Sequence, residues 1–224
     1  MGRLRGGDRR ARRVEDGLID DTSVTSAGIP TDGSIPPART SAPLLPHRLS
    51  TRLAYENAWM RVREDLVRWP NGHESVYGVV EKPDFALILP RERDGFWLVE
   101  QYRYTVERRV WEFPQGSWPA GHTGTAEELA RAELREETGL RADHIEHLGR
   151  FDEAYGFTRQ ACDVFVATGL SHGATEREAT EADMEHRWFS DAEIDDLVLS
   201  GRMSESASLA ALLLWRMRER APRN

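Results

Sequence analysis

Residues Gly116 to Leu140 read GSWPAGHTGTAEELARAELREETGL, and the second half of this stretch is written as a helix. Thr125 and Glu128 have the T-x-x-E spacing of a capping box, in which hydroxyl and carboxylate each satisfy an orphan backbone N–H. Leu129, Ala130, Ala132 and Leu134 supply good helix formers and an apolar flank, and Gly139 can end the segment in the left-handed conformation. The spacing predicts a helix over Ala126 to Thr138. On it, Glu133, Glu136 and Glu137 fall at i, i+3 and i+4 and share one face. Glu127 and Glu128 have Arg131 at helical spacing. The three glutamates do not: three and four positions away they meet Leu129, Ala130, Ala132, Leu134, Gly139 and Leu140, or one another, with only Arg141 in reach beyond the terminating glycine. Like charges so spaced cost about 0.2–0.5 kcal/mol per pair when solvated, and more when partly buried. A hard divalent cation that takes oxygen ligands, Mg²⁺ first and Mn²⁺ as the alternative, relieves that repulsion and leaves coordination positions for water and phosphate. The plainer alternative is a solvated acidic face.

The 224 residues suit one domain of ordinary size with extra segments. A net charge of −8 argues against a general nucleic-acid binder and leaves small anionic substrates open if a metal handles them. One cysteine, Cys162, excludes an intrachain disulfide framework, fits a reducing, cytoplasmic setting, and within ACDVFVATG reads as a core residue. No apolar run approaches the roughly 18 residues of a membrane span. Residues 1–46 are rich in arginine, then in Ser, Thr, Pro and Gly, and lack the apolar content to offset ordering entropy; they read as a disordered tail, with a partner-binding arm or an over-extended start as alternatives.

From Leu49 the pattern becomes that of a sheet protein. Trp59 to Trp69 alternates, Pro70-Asn71-Gly72 marks a hairpin turn, and His73 to Val80 returns, which makes an N-terminal β-element of residues 47–82. Within residues 83–220, strands are predicted at Phe85–Pro90, Phe96–Tyr104 and Val110–Phe113 before the helix, and at His144–Phe151, Ala161–Thr168 and His186–Phe189 after it. Ser190 and Glu193 form a second capping box, and Ser204 or Ser206 starts a last helix. This order is compatible with an α/β (α+β) fold, an α/β/α sandwich around a mixed sheet.

The 116–140 stretch resembles the Nudix box, with Gly116 or Gly121 at its start and then Glu133, Leu134, Glu136, Glu137, Gly139 and Leu140 in the family's order. Two positions depart from it. Ala132 stands where the family has arginine, with Arg131 and Arg135 displaced from that position by about 100° and 60° round the helix, and Gly124 stands where a glutamate is usual. The flanking runs EKPDFALILP, WLVEQYRYTVERRVWEFPQG, ENAWMRVREDLVRWPNG and SASLAALLL are similar to the ADP-ribose pyrophosphatase branch of Nudix hydrolases, so that the resemblance extends from about Ser50 to Arg216. The FPQG entry, Phe113 to Gly116, is also seen in Nudix enzymes that act on dinucleotide polyphosphates or RNA 5′ ends.

The resemblance implies Mg²⁺-dependent hydrolysis of a nucleoside diphosphate sugar, ADP-ribose preferred, to AMP and ribose 5-phosphate. It implies Glu133 and Glu137 as principal metal ligands, Glu136 as a further or water-mediated ligand and catalytic carboxylate, and the Gln115 carbonyl as completing the shell. A catalytic glutamate on a later loop is also implied; of Glu176, Glu178 and Glu181, the distance before the Trp188 strand favours Glu181. For the substrate, Arg103 is the candidate phosphate contact, because a guanidinium fork matches phosphate geometry, and Trp59, Tyr102 and Trp111 are candidates to stack on the base. A homodimer built through the N-terminal element is a further implication. Two alternatives stay open: a dinucleotide polyphosphate or capped-RNA pyrophosphohydrolase, and a catalytically idle Nudix ligand-sensing domain, to which the Ala132 departure points.

Overall fold

In the computed structural model, which describes residues 45–119, 121–177 and 181–221, an antiparallel sheet comes first: β1 (His47–Glu56), β2 (Arg61–Arg68) and β3 (Glu74–Glu81), in that order. The expected tail over residues 1–46 lies outside the described residues except for Leu45 and Pro46. The β2–β3 turn is closed by Gly72 and Trp69: the Gly72 N–H donates to the Trp69 carbonyl and the Trp69 N–H to the His73 carbonyl, both at 2.8 Å, with Gly72 at φ 85°. Trp59, expected to open a strand, sits instead in the β1–β2 turn, where the Asn57 side-chain carbonyl accepts from the N–H groups of Trp59 and Met60 at 2.9 Å each.

The second sheet is mixed. Its strands are β4 (Phe85–Glu92), β5 (Gly95–Arg103), β6 (Arg108–Glu112), β7 (Gln115–Gly116), β8 (Leu140–Asp152), β9 (Ala161–His172) and β10 (Glu185–Ser190). The order is β10-β5-β4-β9-β8, with β6 on β5 and β7 on β4; β4 and β9 are parallel and every other pairing is antiparallel. β4 is apolar on both faces because both are covered. Ala86 and Ile88 face the first helix, α1 (Ala126–Thr138), and pack with Leu129, Ala130, Leu134 and Phe165. Leu87 and Leu89 face the opposite way, toward α2 (Asp191–Leu199) and α3 (Ser206–Arg220), and pack with Phe96, Val164, Ile194, Met203 and Ala211. This is the expected α/β/α sandwich. Cys162 lies wholly buried in the second of these clusters, where burial pushes its thiol well up, as befits a core residue.

Helix α1 has the bounds its caps dictate. The Thr125 hydroxyl accepts from the Glu128 N–H at 3.1 Å, the Glu128 carboxylate accepts from the Thr125 N–H at 2.7 Å, and Gly139 ends the helix at φ 73°. Ser190 and Glu193 repeat the box at α2. At α3 neither serine is the cap: the Glu205 carboxylate accepts from the N–H groups of Ala207 and Ser208 at 2.7 and 2.6 Å, placing a full negative charge where the helix dipole favours one.

One irregularity positions the site. β4 pairs with β5 only at Arg91↔Phe96 and Glu92↔Gly95; the strands then part and β7 takes the vacated edge, with Ala86 opposite Gly116 and Leu87 opposite Gln115. The Pro114 carbonyl accepts from Ile88 N–H at 2.9 Å, so Gln115 and Gly116 are fixed at the foot of α1. Among the described residues no helix is long and apolar enough to cross a membrane. Because Leu134, 1% exposed, packs with Ala86 and Ile88 in the cluster between α1 and the sheet, Leu134→Ala should destabilise the protein by about 2–5 kcal/mol in a denaturant titration.

Candidate active site

Glu137 is the centre of the arrangement. Its side chain is 1% exposed, one carboxylate oxygen accepts from the Gln115 N–H at 3.2 Å, and its pKa is driven well above the ordinary carboxylate range. Burial is the chief cause, followed by the charges of Glu133, Glu181 and Glu112 and opposed by the Gln115 bond. Two of the charges that act on it come from Glu133, on the turn before, and from Glu181, on the segment leading to β10. The helix face thus brings Glu133 and Glu137 together as predicted, and Glu181 arrives from far along the chain.

Gly116 explains how Glu133 fits. A Cβ at this position would collide with all three carboxyl-group atoms of Glu133, so the carboxylate lies directly against the Gly116 backbone. β7 provides that flat floor. Glu136 behaves differently from expectation: its carboxylate is bonded to Arg135, its sequence neighbour, at 2.8 Å, and Arg135 also lies 3.5 Å from the Glu176 carboxylate. Counting only i±3 and i±4 partners overlooked this pair, since a long guanidinium stem can fold back across the face.

Arg103 is bound on one side and open on the other. Its guanidinium makes a forked contact to Glu112, which is fully buried, and Gln101 donates to the same carboxylate at 2.8 Å. Burial raises the Glu112 pKa while Arg103 opposes the rise. Arg103 nevertheless stays more than one-third exposed and lines a cavity of about 530 Å³ that reaches Gln115 and Gly116. Lys82 and Arg108 line the same cavity. Neither stands out in the sequence: Lys82 lies in the short connection between β3 and β4, and Arg108 is one of two adjacent arginines of which the other, Arg109, is turned to Glu100 and Asp183.

The aromatic candidates are separated. Trp111 is a core residue, 6% exposed, with its ring centroid 4.6 Å from that of Phe189, and has no face for a base. Strand alternation alone did not reveal that β6 is covered by α2 and β10. Trp59, 74% exposed on its turn, lines no part of the cavity within one chain. Tyr102 is half exposed on β5. The Gly124 departure has a local cause: the Trp118 indole, stacked on His122 at 3.9 Å, lies where a Cβ on Gly124 would be, 2.8 Å away, so no glutamate fits there.

Among the described residues no three His, Cys, Asp or Glu side chains, as they stand, form a ready cage around one point. The donor set nonetheless fits a hard divalent cation. Glu133 and Glu137 are held by the Gly116 floor and the Gln115 N–H, and a third carboxylate, Glu181, adds to the repulsion on Glu137. Oxygen-only ligands with excess negative charge select Mg²⁺ or Mn²⁺ over softer ions. The arrangement can therefore gather positive charge beside a cation-lined cavity, as phosphoanhydride chemistry requires.

Comparison with known proteins agrees with this geometry. Residues 47–80 match the nucleoside diphosphate sugar hydrolase N-terminal domain and residues 81–211 the NUDIX domain. The ADP-ribose pyrophosphatase of Mycobacterium tuberculosis is 36% identical over 168 residues, covering 74% of this chain and 80% of that protein. An RNA pyrophosphohydrolase of Xanthomonas campestris is 41% identical, but over only 70 residues, 30% of each chain. A solved structure described as an ADP compounds hydrolase superposes with a TM-score of 0.70 over 79% of this chain and 96% of its own, at 22% identity, which speaks to fold alone. With the box glutamates on α1 and both parts of the chain matched in order, the chain belongs to the Nudix family and is a Nudix hydrolase.

Proposed function

We propose that this protein hydrolyses the diphosphate bond of a nucleoside diphosphate sugar, with ADP-ribose preferred, giving AMP and ribose 5-phosphate with Mg²⁺, or Mn²⁺ in its place. The observation that carries this reading is a buried carboxylate, Glu137, crowded by Glu133 and Glu181 beside a cavity lined by Lys82, Arg103 and Arg108. The cavity volume lies within the range of about 300–1,000 Å³ usual for small-molecule sites. The similarity to the M. tuberculosis enzyme over most of both chains supports ADP-ribose over RNA, whose relative matches less than a third.

In this reading Glu133 and Glu137 hold the ion, with Glu136 and the Gln115 carbonyl as further contacts. The ion, when bound, supplies positive charge against the diphosphate oxygens and acidifies the attacking water. Lys82 and Arg108 hold the phosphate groups, and the exposed edge of Arg103 adds a contact while its other edge keeps Glu112 paired. Glu181 accepts the proton of the water as the anhydride P–O bond breaks and the phosphate oxygen leaves on the sugar or nucleoside side.

A homodimer and a cytoplasmic setting go with this proposal. Nine of the ten residues of β1 are exposed, and Leu53, Tyr55, Trp59 and Val76 present large apolar groups on the same sheet. A strand open on both sides buries too little to hold its place alone. Sedimentation should give twice the chain mass, and charged replacements at Leu53 and Tyr55 should return it to the monomer.

Incubation with ADP-ribose and Mg²⁺ should release AMP, and EDTA should stop it. Glu137→Gln should lower kcat by about two orders of magnitude or more with the fold intact. Diadenosine polyphosphates or capped RNA consumed while ADP-ribose stays intact would instead favour the other enzymatic reading, and a protein that binds ADP-ribose without turnover, the sensor.

The metal-free protein should also show the strain of Glu137. A carboxylic acid whose folded pKa is raised keeps its proton in the native state after the unfolded chain has lost it, so stability falls as pH rises from about 4.5 toward the folded pKa. Between those values the loss is about 1.4 kcal/mol per pH unit. In EDTA, Glu137→Gln should therefore melt with the wild type near pH 4.5 and several degrees above it at pH 8, and Mg²⁺ should narrow the gap; parallel curves across pH would refute the burial of an ionisable group.

A further inference from the structure

Arg177, on the segment between β9 and β10, meets the C-terminal end of α1 with its side chain. Its Nε donates to the Glu137 backbone carbonyl at 2.9 Å, one terminal nitrogen donates to the Met184 carbonyl, and the other lies 2.8 Å from His186 Nδ1. Met184 in turn donates its N–H to the Glu181 carbonyl at 2.9 Å. One planar guanidinium thus joins the last turn of the box helix, at the residue that carries the central carboxylate, to the turn that holds Glu181. The approach to Arg177 is fixed as well. The Glu176 N–H donates to the Glu136 carbonyl at 2.9 Å, and the backbone of Gly173 and Ala174 runs so close to Gly139 that no Cβ fits there. The last carbonyls of a helix are unsatisfied and carry the negative end of its dipole, so a cation there is favourable on its own account. The two further acceptors on the β10 side turn that local contact into a cross-link.

We infer that Arg177 is a positioning residue that sets the distance between Glu181 and the Glu133–Glu137 pair by tying the Glu181 turn to the end of α1. It touches neither substrate nor ion; it acts through backbone carbonyls. Lysine cannot replace it fully, because one ammonium on a flexible stem does not span three acceptors lying in a plane. The catalytic half of this inference rests on the proposed role of Glu181, whereas the tie itself does not.

The experiment uses the full chain with Mg²⁺ and ADP-ribose and has two readouts. In Arg177→Ala, amide hydrogen exchange at Met184 should quicken by about tenfold or more while β4 and β9 keep their protection. kcat should fall by about 10- to 100-fold, the scale of a misplaced catalytic group, with KM within about twofold. Arg177→Lys, which keeps the stem and the charge, should lie between the two and serves if the alanine variant fails to fold. In a Glu181→Gln background Arg177→Ala should cost less than about threefold more, because the group it positions is already gone. Unchanged exchange at Met184 would overturn the tie. A loss carried by KM, or losses that multiply in the double variant, would overturn the positioning role. Glu181→Gln with wild-type turnover would remove the role of Glu181 itself, an outcome told apart from the others because the exchange at Met184 still reports on the tie.

Discussion

A carboxylate that the fold removes from water beside other carboxylates is the constraint around which this protein is built. Glu137 reaches its place because α1 must lay Leu134 and Leu129 on the sheet, which turns the adjacent helix face inward. Glu133 lies one turn back on the same face, and Glu112 is buried at the end of β6 behind it. Leaving such a charge unpaired in a low-dielectric site costs several kcal/mol. Protonation or a cation from outside can meet that cost, and among the described residues the arginines Arg103, Arg135 and Arg177 are engaged elsewhere.

Where they are engaged is informative. Arg103 is forked onto Glu112, Arg135 onto Glu136, and Arg177 onto backbone carbonyls. Each neutralises or braces the rim and leaves the centre anionic. Ala132, in place of the box arginine, removes one more cation from the helix. Arg135 lies about 60° round the helix from Ala132 and faces Glu136 with Glu176 behind it. The Gly124 departure is linked to its own loop, where the Trp118–His122 stack fills the volume a glutamate side chain would need.

What was legible in the sequence follows from how local each signal is. α1 and the start of α2 could be read closely because a capping box, and at α1 a terminating glycine, act within a few positions. Glu205 at α3 was passed over because two serines nearby offered the more familiar cap. β1 has no alternation to read, being exposed on almost every residue, and its strand character comes from pairing with β2. Trp111 was misjudged because strand position says which face a side chain takes, and what covers that face, here Phe189, lies far along the chain. Lys82 and Arg177 have no sequence signature at all, since each matters only through what the topology sets opposite it.

The N-terminal sheet is more than an appendage to this site. Tyr77 on β3 donates its hydroxyl to the Gly156 carbonyl, Val80 N–H donates to Phe157 at 2.7 Å, and the Val80 carbonyl accepts from the Thr158 hydroxyl at 2.9 Å. The β8–β9 connection is therefore hung from β3, and the same connection supplies Glu153 and Gln160 to the cavity wall, with Gln160 further fixed to the Pro83 carbonyl at 2.8 Å. Lys82 follows β3 directly and enters the same wall. One side of the cavity is thus shaped by a sheet whose own outer strand is uncovered, while β7 and the residues around β6 line the rest. A shift of β3 would move Lys82 and the 153–160 connection together but leave Glu133 and Glu137 in place, which separates the part of the fold that sets substrate fit from the part that sets the chemistry.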